Sequence, residues 1–309
     1  MTFAFVFPGQ GSQSVGMLDA FAKLPEVQAT LAEASEALGQ DIGALIASGP
    51  KELLDATVNT QPVMLVAGVA VYRAWKAQGG AEPAMLAGHS LGEYSALVAA
   101  GALDFKDAVR LVRLRAQAMQ SAVPEGEGAM AAILGLDDDN IRAACAEAAQ
   151  GEVVEPVNFN TPGQVVIAGS KAAVLRAGEA CKARGAKRAL PLPVSVPSHC
   201  ALMRPAAEQL AAALAGIEIK TPRIAVIHNA DVAAYSEPDQ IRAALARQLY
   251  SPVRWVETVQ KLSSEGITVV AECGPGKVLA GMSKRIVDSL QSVALTEPAQ
   301  FEALKALLA

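Results

Sequence analysis

A serine set between two glycines, Gly88-His89-Ser90-Leu91-Gly92, is the strongest candidate for chemistry in the chain. In a Gly-x-Ser-x-Gly turn the backbone passes from strand to helix so sharply that neither glycine position has room for a Cβ, and the serine Oγ is thrown clear of the sheet at a helix N-terminus. The N–H of Leu91 then stands where it can stabilise an oxyanion as Ser90 attacks a carbonyl. The pattern alone arises by chance in roughly one chain in ten of this length, so its context decides. An apolar run ends at Ala87, and Leu91, Tyr94, Leu97 and Val98 continue a helical stripe that Gly101 stops. That is the setting of a nucleophile elbow.

A serine nucleophile needs a base near neutral pH, and histidine is the usual one. The chain has three histidines. His89 adjoins the serine, where neighbouring side chains diverge. His228 ends an apolar run and fits a core or rim position. His199 lies after the serine in a proline-framed loop, the Ser-before-His order of elbow hydrolases, and is the candidate base. No carboxylate presents itself clearly as a third member. Glu272 at a strand end and a backbone carbonyl both remain open.

A third anomaly lies in the helix that Asp104 can cap, Phe105 to about Ser121. At about 100° per residue, Ala108, Leu111, Val112, Ala118 and Met119 form one apolar arc with Arg115 near its middle. Arg110, Arg113 and Gln117 fall on the opposite, solvated side. An arginine aimed into a core is costly unless an anion or carbonyl groups meet its five donors. Either an internal acid satisfies Arg115 or a bound ligand does, and near a serine nucleophile a guanidinium can clamp a substrate carboxylate bidentately.

The elements that must position these residues alternate strand and helix. Phe3 to Phe7 is a continuous apolar run stopped by Pro8, as for a strand buried on both faces of a parallel sheet. Pro62 suits the first position of a helix running to about Lys76. Ala129–Leu136, Asp137–Gln150, Val153–Asn160, Gln164–Ala168, Lys171–Arg184 and Lys187–Val194 follow as β-α-β-β-α-β, the ferredoxin-like order. A helix over Ala201–Ala215, a strand over Arg223–His228, two more helices and a last strand, Thr268–Glu272, return to the parallel sheet. The fold expected is α/β: a large α/β-hydrolase-like domain, residues 1–127 and 197–309, with an inserted ferredoxin-like subdomain, residues 128–196.

Composition excludes several other functions. With 309 residues, 52% hydrophobic and 18% charged, there is apolar material for one large core or two unequal ones. A net charge of -5 argues against nucleic acid, which requires a basic face. The four cysteines show no Cys-x-x-Cys pairing, so free thiols in a reducing compartment are expected and a metal site is not. No apolar run reaches the ~20 residues of a bilayer span, and no basic leader opens the chain, which points to the cytoplasm. Two glycine loops fail as phosphate cradles: in Gly9-Gln10-Gly11-Ser12-Gln13-Ser14-Val15-Gly16 the third glycine arrives late, and Gly274-Pro275-Gly276-Lys277 is flanked by Ala271 and Val278 where a Walker A needs Gly and Ser or Thr.

Taken in order, Phe7-Pro8-Gly9-Gln10-Gly11-Ser12-Gln13, Gly88-His89-Ser90-Leu91-Gly92-Glu93, Arg115 with Met119-Gln120, and Pro197-Ser198-His199 make the chain resemble the bacterial malonyl-CoA:acyl carrier protein transacylases, of the acyltransferase family of fatty-acid and polyketide synthesis. The likeness spans essentially the whole length. It implies Ser90 as the acylated nucleophile, His199 as its base, and the amides of Gln10 and Leu91 as the oxyanion hole. It further implies that the main-chain carbonyl of Gln248 orients His199, that Arg115 pairs the malonate carboxylate, and that Asn160 lies on the small-domain side of the cleft as a substrate-binding residue.

The implied reaction is a ping-pong transfer of malonyl from malonyl-CoA to the phosphopantetheine thiol of acyl carrier protein, supplying fatty-acid synthesis. No tightly bound cofactor, no metal, no nucleic acid and no membrane are implied. Polyketide and animal fatty-acid synthase domains usually carry a different tetrapeptide at Val196-Pro197-Ser198-His199, so malonyl preference follows from the overall likeness to the stand-alone enzymes. A serine acyl hydrolase or thioesterase, or an acyltransferase using another acyl-CoA, is the alternative. Arg115 speaks against a neutral acyl chain. Lys182, Arg184, Lys187 and Arg188 are a candidate basic patch for an acidic carrier, with an ordinary solvated cluster as the bland alternative, and the oligomeric state is left open.

Overall fold

Phe3–Phe7 alternates bulky and small residues, and the sheet uses both faces of it. In a computed structural model that describes residues 1–194 and 196–309, this strand, β1, lies at the centre of a six-stranded sheet. The remaining strands are β2 (Met85–Gly88), β3 (Gly128–Leu134), β4 (Val154–Thr161), β5 (Gln164–Ser170), β6 (Arg188–Pro191), β7 (Ala225–His228), β8 (Ala233–Ala234), β9 (Val269–Glu272) and β10 (Gln291–Ala294). The large sheet runs β10-β9-β1-β2-β7-β8, parallel throughout except for β8, which pairs antiparallel with β7.

Phe3, Phe5 and Phe7 point to one face and pack with Trp75, Tyr72 and Phe301, the Phe5 and Trp75 rings meeting edge-on at 5.7 Å. Burying each such ring contributes roughly 1.5–3 kcal/mol. Ala4 and Val6 point the other way, where their small side chains admit Trp255, Val259 and Leu262 of the helix Trp255–Ser264. Helices on both faces are what a parallel sheet requires.

Strands β4-β5-β3-β6 form a separate antiparallel sheet. The helices Asp138–Ala149 and Lys171–Ala183 cover one face through Ile141, Ala144, Val174 and Ala177. The opposite face, with Met130, Val157, Val166 and Ala168, packs toward Cys200 and Leu202. Two backbone hydrogen bonds fasten β4 to the large unit: Phe159 N–H donates to Val253 O at 3.0 Å, and Val253 N–H donates to Val157 O at 2.8 Å.

Two local expectations need correcting. The helix expected to begin at Pro62 begins a full turn earlier and spans Thr57–Ala77 with Pro62 inside it. Proline removes one donor there, but Asn59 through Tyr72 are all buried, and that packing outweighs the lost bond. The extra turn carries Thr57 and Gln61 to the site. Likewise β9 is not the last strand: β10 pairs with it at the sheet edge, too polar in Gln291 and Ser292 to show as an apolar run.

Candidate active site

Strand β2 ends at Gly88 and the next helix, Gly92–Ala99, begins four residues on, so the chain turns within three residues. A Cβ on Gly88 would lie 1.9 Å from the carbonyl carbon of Gly92, and one on Gly92 would lie 2.0 Å from Phe7 O. Ser90, between them, is held at φ 52°, a left-handed conformation that costs a non-glycine residue stability. His199 is held likewise at φ 66°. These two residues meet across 109 positions of sequence: Ser90 Oγ lies 2.7 Å from His199 Nε2.

The proton positions follow from the partners. His199 Nδ1 faces the main-chain carbonyl of Gln248 at 2.8 Å, which can only accept, so Nδ1 carries the hydrogen. Nε2 therefore offers its lone pair to the serine O–H. Burial depresses the His199 pKa, the positive charge of Arg115 depresses it further and the Gln248 carbonyl pulls it up, leaving it at about 3 against an ordinary 6.5. The imidazole is a neutral base at every ordinary pH.

A pH dependence follows. Acylation of Ser90 should show no acid limb near 6.5, because protonation of His199 waits until pH approaches about 3. The linked stability has the sign of a depressed pKa: present in full above 6.5, and lost as pH falls toward 3, since the unfolded chain takes the proton first. Single-turnover acylation measured from pH 5 to 8 checks this, and a midpoint near 6.5 would mean that His199 is not insulated from solvent.

Arg115 is 1% exposed on the helix Phe105–Ala122. Nη1 donates to Gln61 Oε1 at 2.6 Å and Nη2 to Gln248 Oε1 at 3.0 Å, while Nη2 also approaches Ser90 Oγ at 3.5 Å. The Tyr94 ring centroid lies 5.5 Å from its Cζ. Of the two partners left open from sequence, the internal acid is not there: among the described residues no carboxylate bonds or pairs with this guanidinium. Its Nε has no hydrogen-bond partner among the described residues.

Glu93, one residue past the elbow, is fully buried and was not singled out from sequence. Its carboxylate accepts from His228 Nδ1–H at 2.7 Å, Asn229 N–H at 2.9 Å and Gln248 Nε2–H at 2.9 Å. Asn229 in turn donates to Gly88 O and accepts the Ser90 N–H at 2.7 Å. The Ser90 amide is thus spent on holding the elbow. The N–H groups of Gln10 and Leu91 donate to no protein acceptor among the described residues, and both residues line the cavity beside Ser90. No local periodicity could have revealed Glu93, Asn229 or His228, because their partners lie more than a hundred positions away.

The cavity holds ≈ 140 Å³ and is bounded by Ser90, His199, Arg115 and Gln61 on the large unit and by Met130, Asn158, Leu192 and Val194 on the other side. Asn160 stands behind this wall, its Oδ1 accepting from His89 Nε2–H at 2.8 Å, while Asn158 is the asparagine on the lining. Glu272 is elsewhere. Its Oε2 accepts from Ala280 N–H at 2.9 Å, it takes no part in the His199 contacts, and burial pushes its pKa up to about 7. By occupying the N-terminus of the helix Val278–Ile286 it also fills the place a phosphate would need behind Gly274-Pro275-Gly276-Lys277. Of the basic patch, Lys182 pairs with Glu179 and Arg184 with Glu147, whereas Lys187 and Arg188 form no ion pair among the described residues. No group of three or more His, Cys, Asp or Glu suited to a metal occurs among the described residues, and no helix there is long and apolar enough to cross a membrane.

Ser90 hydrogen-bonded to His199, with the unpaired amides of Gln10 and Leu91 and the buried cation of Arg115 beside it, is an arrangement suited to acyl chemistry. The chain belongs to the acyl transferase domain family, which matches residues 4–301. It is 62% identical over 302 residues to the malonyl CoA-acyl carrier protein transacylase of Escherichia coli (strain K12), covering 97% of this chain and 98% of that one. A crystal structure of an acyl carrier protein S-malonyltransferase from Vibrio cholerae superposes with a TM-score of 0.97 at 60% identity, covering 98% of this chain and all of that one. A malonyl-transacylase solved in complex with its type II PKS acyl-carrier protein superposes with a TM-score of 0.97 at 57% identity, covering 98% of each chain.

Proposed function

We propose that the protein transfers a malonyl group from malonyl-CoA to the phosphopantetheine thiol of acyl carrier protein by way of a malonyl-Ser90 ester. The observation that carries this is Arg115, a buried guanidinium beside the nucleophile with only neutral oxygens for partners. A carboxylated acyl group supplies the missing anion, and its carboxylate would then offset the charge that helps hold the His199 pKa down, making His199 a stronger base once substrate is bound.

His199 Nε2 takes the Ser90 proton while Oγ adds to the thioester carbonyl, whose oxygen is received by the amides of Gln10 and Leu91. The C–S bond breaks, and the CoA thiolate leaves with the proton from His199. The carrier's thiol repeats the sequence in reverse and restores the Ser90 hydroxyl. The Gln248 carbonyl orients His199 throughout, and Asn160 acts through His89. Residues 1–127 and 197–309 form the unit that supplies the groups touching the reacting atoms, and residues 128–196 the unit that closes the acyl pocket with Met130, Leu192 and Val194. No cofactor is needed, and a reaction drawing on CoA thioesters belongs in the cytoplasm.

Malonyl-CoA alone should add one malonyl group to the intact protein, and holo acyl carrier protein should then remove it and carry it. Intact-mass spectrometry reads both steps. Release of free malonate without any carrier would favour the hydrolase instead.

A further inference from the structure

Two side-chain amides, and no acid, hold Arg115. We propose that Gln61 is a specificity-determining residue: its neutral Oε1 fixes the guanidinium while leaving the positive charge uncompensated for a carboxylated acyl group. The inference rests on the acyl-transfer reading above and goes beyond it by saying why that charge is still available.

Arginine has donors only, so the Gln61 amide must turn its oxygen to Nη1, at 2.6 Å, and its Nε2 to Met119 Sδ, at 3.5 Å. Gln61 is 1% exposed and lines the cavity, so its bond to Arg115 is largely shielded from bulk solvent and stands where the acyl group would enter. The second anchor is built alike. Gln248 Oε1 accepts from Arg115 Nη2 at 3.0 Å, and Gln248 Nε2 donates to Glu93 Oε2 at 2.9 Å. The amide thus stands as a spacer between guanidinium and carboxylate. A glutamate at position 61 would have the same shape and nearly the same reach, but it would neutralise the cation and repel a second carboxylate in a buried site. Glutamine keeps the geometry without spending the charge.

The test compares malonyl and acetyl transfer to holo acyl carrier protein in wild type, Gln61→Glu and Gln61→Met, with melting temperatures alongside. Gln61→Glu is expected to lower the malonyl-to-acetyl ratio by roughly 100-fold or more, with a melting temperature close to wild type. Gln61→Met, which removes the anchor without adding charge, should lower the ratio less and act mainly on the malonyl KM. An unchanged ratio in Gln61→Glu, or a parallel fall of both substrates, overturns the proposal. If Gln61→Glu does not fold, the ratio in Gln61→Met decides by the same criterion. Absence of malonyl transfer in wild type would instead overturn the acyl-transfer reading itself, so the two failures are distinguishable.

Discussion

Ser90→Ala is expected to lower malonyl transfer by at least about 10⁴-fold and to leave no malonyl adduct on the protein. The loss is this large because nothing else at the elbow can take its place. His199 Nε2 would face a methyl group, and with no Oγ to add to the thioester no oxyanion would form for the amides of Gln10 and Leu91 to stabilise. The melting temperature should change little, since the elbow is held by Asn229 and Gln248 through groups the substitution keeps: the Ser90 N–H donates to Asn229 Oδ1 and the Ser90 carbonyl accepts from Gln248 Nε2–H. Intact mass after exposure to malonyl-CoA is the measurement, and an undiminished adduct would place the acylated residue elsewhere.

Arg115→Ala should separate substrates rather than abolish chemistry. Without the guanidinium a malonate carboxylate entering this pocket is desolvated and unpaired, which costs ~2–5 kcal/mol of binding. An acetyl group has no such requirement and no longer meets a buried cation. Malonyl transfer is expected to collapse while acetyl transfer persists, so selectivity moves toward neutral acyl groups. The partners bear on stability as well. Removing an arginine from an internal ion pair strands a buried carboxylate, whereas here it frees only two neutral amide oxygens, of which that of Gln61 borders the cavity. A modest melting shift with a large change in ratio is the expected pattern. Equal loss of both activities on a destabilised protein would make Arg115 a structural residue.

What sequence could reveal depended on whether a signal was local. The elbow is local: two glycines, a serine and a helical stripe within a dozen residues. Arg115 was legible as a charge on the wrong side of a helical wheel, because Asp104 caps the helix where the pattern begins, whereas Arg113, expected on the solvated side, is half-buried and donates to Gln40 Oε1. The alternating parallel order emerged from apolar runs, but the edge strands escaped: β8 is only two residues long, and β10 opens with the polar Gln291 and Ser292. Gln61 was lost for a specific reason. Proline is a good helix starter, so the sequence pattern places the helix start at Pro62 and excludes the turn that carries Gln61 toward Arg115. Glu93 sat in plain view beside the motif, yet nothing nearby in sequence says that His228, Asn229 and Gln248 would surround it. Buried polar networks are assembled by topology, and a single sequence does not display them.

The spread of the site along the chain has a bearing on how the protein is made. Gln248 reaches back 158 residues to the Ser90 carbonyl, and His199 reaches back 109 to its hydroxyl. At elongation rates of about 5–20 residues per second, Ser90 is made roughly 8–30 s before Gln248. For the first 109 residues of that interval it has no His199 imidazole to take its proton, and until the end of it no Gln248 carbonyl to fix that imidazole and no completed set of partners around Arg115. On the mechanism proposed, a nascent chain lacking these partners is chemically silent, and Ser90 becomes reactive only when the C-terminal half closes onto the first.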